Sequence, residues 1–96
     1  MNYVTYNTLK NTRVLSHLRG LEIEKAIEIL ESDLDTNIIT LQSLHRDNEI
    51  LSIEDKNIIK NKLKYAKKYR LDNPRNNKNI EIGKLVEDAL SDVSIE

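Results

Sequence analysis

The chain has 96 residues, 39% hydrophobic and 32% charged, and its 15 basic and 16 acidic side chains leave a formal net charge of −1. That length holds one domain (residues 1–96), and folding buries only roughly 60 to 68% of the unfolded surface of a chain this size, so stability is thin. The lack of cysteine excludes disulfides, thiolate metal sites and cysteine nucleophiles, and no apolar run reaches the ~18 residues that a bilayer-spanning helix needs. Four tyrosines are the only aromatic residues, so Ile, Leu and Val must supply the core. With two glycines and one proline, the composition predicts an all-α fold in the cytoplasm. A partner that covers further apolar surface, by default a second copy, would add stability.

In chain order, a first helix is predicted from an N-cap at Thr5 or Thr8 to Arg19, with Gly20 at the left-handed position after the helix end. Its apolar members are Tyr6, Leu9, Val14, Leu15 and Leu18. The second helix, over 21–46, carries the strongest pattern in the chain. Ile23, Ile27, Leu30, Leu34, Asn37, Leu41 and Leu44 recur in steps of three and four, the spacing of a coiled-coil seam, and form the predicted protein interface. The polar run Ser32-Asp33-Leu34-Asp35-Thr36-Asn37 invites a break, because short polar side chains compete for backbone hydrogen bonds. The stripe keeps its phase through that run, so a continuous helix is predicted. Asn37 is either a solvated residue or a polar register-setter within the seam. Leu21, Ile29 and Ile39 lie off the stripe and imply a second apolar contact. Glu24, Glu28, Glu31 and Asp35 form an acidic strip beside the apolar one.

The third helix has a clear start at Ser52-Ile53-Glu54-Asp55, a capping-box pattern with two acids where the helix dipole favours them, and should reach Leu71. Ile58, Ile59, Leu63, Ala66 and Tyr69 share one side of it, with Lys62 intruding. Pro74 and its neighbouring asparagines predict a turn over 72–77. A fourth helix follows over 80–92, with Ile82, Leu85, Val86, Ala89, Leu90 and Val93 at helical spacing despite Gly83. The fold expected from this order is a four-helix bundle-like arrangement with a long antiparallel hairpin formed by the second and third helices.

Charge is segregated: residues 21–36 sum to −5 and residues 51–70 to +5. Lys56, Lys60, Lys64 and Lys67, joined by Lys68 and Arg70, make a basic strip with two readings. As a nucleic-acid face it would release counterions from phosphates. As the flank of a helix pair it would meet the acidic strip of the second helix, the reading preferred here because both strips are present. A ribbon-helix-helix arrangement with a strand at 49–53 is disfavoured, since that strand would offer Glu49, Leu51 and Ile53 to the groove instead of basic or amide side chains.

Catalytic candidates are thin. His17 and His45 stand alone near predicted helix ends, where a cation suits the dipole. Glu24, Glu28 and Glu31 lack the Glu-x-x-His partner of a di-metal carboxylate site, and no glycine-rich phosphate loop occurs. No enzyme activity, metal or cofactor is therefore expected. In size and helix count the chain is similar to small bacterial immunity proteins built as antiparallel four-helix bundles, though it carries none of their motifs. The sequence thus predicts a small bacterial or phage protein that binds proteins as a regulator, adaptor, chaperone or immunity-type factor, as a homodimer, with nucleic-acid binding the alternative.

Overall fold

A computed structural model describes residues 3–47 and 51–94. Among them the chain forms four α-helices and no strand: α1 Tyr3–Arg19, α2 Ile23–Asp47, α3 Ile53–Asp72 and α4 Ile80–Ser91. The fold is all-α, as the periodicity predicts, and α2 is helical throughout Ser32–Asn37. Of the strand considered at 49–53, residues 49 and 50 lie outside the described residues and Ile53 opens α3. The chain divides into two compact units, Met1–Asp33 and Leu34–Glu96.

In the first unit, α1 ends in a Schellman turn. The Leu21 amide donates to the Leu18 carbonyl at 3.1 Å and the Glu22 amide to the His17 carbonyl at 2.7 Å. The left-handed residue of this turn is Leu21, at φ 62°, and not Gly20, which keeps a negative φ. The hydrophobic contact that usually closes such a turn is replaced by a polar one, His17 Nδ1 to Glu22 Oε1 at 3.2 Å. Further along, Asp33 receives the Tyr6 hydroxyl at 3.1 Å and the Lys10 ammonium at 2.7 Å. Donating to that carboxylate raises the Tyr6 phenol above its usual value, because loss of its proton would set two negative charges together. Val14 and Ala26 are the buried hydrophobic residues of this unit among the described residues. Tyr6, Leu9, Leu15 and Leu18 are exposed, because α1 spreads them around its circumference.

In the second unit, α2 from Leu34 onward packs with α3 and α4 around Ile38, Leu63, Val86, Ala89, Leu90 and Val93. Leu34, Ile39, Leu41, Ile59, Ala66 and Ile82 close the edges of this core. Burying a side chain such as Ile38 or Leu63 contributes about 2 kcal/mol. The hairpin is antiparallel: Asp35 bonds Arg70 near the end of α3, while His45 lines a hollow with Ile53 and Asn57 near its start. The Arg46–Asp92 ion pair at 2.8 Å sets the end of α4 beside the end of α2. Ser52 caps α3 as predicted, its Oγ accepting the Asp55 amide at 3.0 Å, and Asn79 caps α4 by accepting the Ile82 amide at 3.1 Å. Gly83 has a packing reason: a Cβ there would lie 3.2 Å from the Asn77 Cβ, so the 73–79 turn rests directly on α4.

A leucine in the left-handed region costs roughly 1 to 2 kcal/mol that glycine does not incur. Leu21 is also 84% exposed, so little packing is lost by removing it. Leu21→Gly is therefore expected to stabilise the chain by about 1 kcal/mol, read as a higher midpoint in urea unfolding. A second expectation concerns Glu22, whose carboxyl is held below 4.5 by its hydrogen bond to Lys25 first and to His17 second. Its stabilising effect is present above that unfolded value and is lost as pH falls through the lower folded one. An NMR titration of the Glu22 carboxyl should show this depression, and Lys25→Ala should shrink it.

Candidate functional site

Helical phase decides what α2 shows to its surroundings. At 100° per residue, the buried positions Glu31, Asp35, Ile38 and Gln42 lie about 90° around the helix from the predicted seam. The seam is therefore not the face that packs against α3. In the first unit Ile23, Ile27 and Leu30 are 56%, 48% and 48% exposed. In the second, Leu34 and Leu41 are half-buried at the edge of the core, while Asn37 and Leu44 are exposed. Of the off-stripe residues, Ile29 and Ile39 are half-buried and Leu21 is exposed.

The acidic strip divides in the same way. Glu24 and Glu28 are exposed, whereas Glu31 and Asp35 are buried. Asp35 is the polar centre of the second unit. Its Oδ1 accepts Arg70 Nη2 at 2.8 Å, and its Oδ2 accepts Arg75 Nε at 2.9 Å and Asn77 Nδ2 at 2.7 Å. The side chains of Asp35, Arg70 and Arg75 all lie well inside the fold. Asp35, Arg70, Arg75 and Asn77 also wall a cleft of about 340 Å³ floored by Leu71, Pro74, Val86 and Leu90. Sequence pattern does not single out Arg75 and Asn77, because they lie 40 and 42 residues from Asp35, in a segment that local rules identify only as a turn.

Nor does the basic strip act as one face. Arg70 is held by Asp35, and the Lys67 ammonium donates to the Val93 carbonyl. Lys56 and Lys64 are half-buried, and Lys60 and Lys68 are exposed. The predicted meeting of acidic and basic strips thus comes down, among the ion pairs described, to Asp35 with Arg70. What α3 turns outward is a row that apolar spacing places partly in the core: Ile58, Lys62, Tyr65 and Tyr69, all exposed, with Tyr65 at 79%. Leu63 takes the buried position, because it lies on the side of α3 that faces Ile38.

His17 serves the α1 turn described above, and His45 is half-buried beside Gln42 and Lys56. Among the described residues, no three His, Asp or Glu side chains converge as a metal-ligand set, and no helix is long and apolar enough to cross a membrane. No protein-family model, curated protein or solved structure matches the chain.

Removing one partner from a buried ion pair leaves the other desolvated without compensation, at a cost of about 3 to 5 kcal/mol. Asp35→Asn keeps the shape but withdraws the charge that Arg70 and Arg75 share, and its expected effect lies near the lower end of that range. Urea denaturation followed by circular dichroism would measure it, and Asp33→Asn, at a more open site, should cost less.

Proposed function

We propose that the chain is a non-enzymatic, cytoplasmic protein–protein interaction module, a small regulator, adaptor, chaperone or immunity-type protein that works by helix packing. The observation that carries this reading is the exposed row Ile23, Ile27 and Leu30 on α2. Isolated apolar residues on a surface are ordinary, but three in helical register form a contiguous strip of the kind that enters a helical groove. Glu24 borders the strip on one side and supplies a charge that steers a partner and rejects acidic competitors.

A second reading, nucleic-acid binding by α3, has one observation in its favour. Tyr65 stands out into solvent between Lys62 and Lys68, a pairing of stacking surface with cations that suits single strands. It ranks below the first because Lys67 and Arg70, two of the six basic residues invoked, hold the chain's own carbonyl and carboxylate.

Affinity capture from the native host tests the first reading when the wild-type chain is compared with Ile27→Asp/Leu30→Asp. The wild type should retain a protein, a second copy of itself or another chain, that the variant loses while keeping its helical circular dichroism. Equal recovery by both would remove α2 as the working face. A gel shift tests the second: binding that survives about 50 mM salt and disappears by about 200 mM would support it.

A further inference from the structure

We propose that the hollow beside the start of α3 binds a small organic phosphate monoester, with Lys56 and Lys60 matching its charge and the Gln42 amide donating to one of its oxygens. The hollow lies wholly within the second unit and has a volume of about 510 Å³, in the range of small-molecule sites. None of its lining residues belongs to the exposed α2 row, so this inference stands apart from the interaction reading.

A buried amide with nothing to bond sets this hollow apart. Gln42 is only 7% exposed, it lines the hollow, and among the described residues its side chain makes no hydrogen bond. An amide so largely removed from water is costly without a partner, and a ligand oxygen supplies one. His45, Lys56 and Lys60 line the same hollow and likewise make no hydrogen bond or ion pair among the described residues. The cleft at Asp35 differs, because Arg70, Arg75 and Asn77 there are already turned onto that carboxylate.

Charge selects the ligand. Asp92 is paired with Arg46 at 2.8 Å and the Val93 carbonyl accepts from Lys67, so the acid of this hollow and the end of α4 are already served. Lys56 and Lys60 remain, one turn apart on one side of α3. Glu54 and Asp55 lie about 120 to 140° around the helix from the middle of that pair, too far round to neutralise it. Two ammonium groups match a phosphate monoester, which carries about −1.5 to −2 near neutral pH, better than they match a carboxylate or a phosphodiester with a single charge. Lysines also bind phosphate as point charges, whereas a planar carboxylate suits the arginine fork. Leu63 and Val93, both buried, and Ile53, exposed, line the same hollow, so the organic group of the ester meets apolar surface.

Phenyl phosphate, titrated into the full chain and followed by NMR of the side-chain amides, tests the site. The Gln42 amide signals should shift with a millimolar or tighter dissociation constant, inorganic phosphate should bind more weakly, and benzoate should leave them in place. Lys56→Gln/Lys60→Gln should weaken binding at least about tenfold with helicity unchanged by circular dichroism. Gln42→Leu should weaken it several-fold while leaving the urea midpoint unchanged or higher, because the amide holds nothing in the fold. A lower midpoint with unchanged binding would make that amide structural and overturn the proposal. Binding that ignores both lysines would do the same, as would no shift at all up to about 10 mM phenyl phosphate. If a single-stranded oligonucleotide without terminal phosphates displaces phenyl phosphate, the hollow belongs to a nucleic-acid backbone and the monoester is overturned as its ligand.

Discussion

One buried carboxylate organises the larger unit. Asp35 is held by three donors from two places in the sequence, Arg70 at the end of α3 and Arg75 and Asn77 in the turn before α4. A purely aliphatic contact between helices tolerates sliding and rotation at modest cost, because Leu and Ile interlock in several registers. A desolvated carboxylate does not, since each misplaced donor leaves a buried charge uncompensated. Asp35 therefore selects the side of α2 that faces inward, and Ile38 and Gln42 follow it one turn and two turns later. Carrying the predicted seam to the edge and outside of the fold is the direct consequence.

The first unit is organised by the opposite economy of apolar burial. Val14 and Ala26 are small, and the stronger ties are polar: Tyr6 and Lys10 to Asp33 in the middle, His17 and Lys25 to Glu22 at the turn. The Lys25–Glu22 pair is exposed and contributes little, whereas Lys10 and Asp33 are partly buried where they meet. The unit leaves Ile23, Ile27 and Leu30 to solvent, and covering such residues yields favourable free energy on association.

Near-neutral net charge conceals a division of labour among the charged residues. Asp35, Arg70, Arg75 and Lys67 are used within the fold, as are Arg46 and Asp92 near its rim. Glu24, Glu28, Lys62 and Lys68 remain on exposed helix faces. The first group ties the helices to one another, and the second faces solvent. Counting charges by segment detects the segregation but cannot tell the groups apart, because neighbours on one strip, such as Glu28 and Asp35, end up with different surroundings.

Much of the helical layout was legible from local rules. Ser52 with Asp55 marks the start of α3, the phase of the α2 stripe carries that helix through Ser32–Asn37, and Val86, Ala89, Leu90 and Val93 identify the inner side of α4. These depend on hydrogen bonds and side-chain spacing within a few residues, which the sequence states directly. Which face of α2 points inward, why Leu63 and not Ile58 or Tyr69 is buried, and why Leu21 rather than Gly20 takes the left-handed position were decided only in three dimensions. Periodicity tells which residues share a side of a helix; which side is covered depends on partners 35 to 42 residues away, and no local pattern carries that pairing.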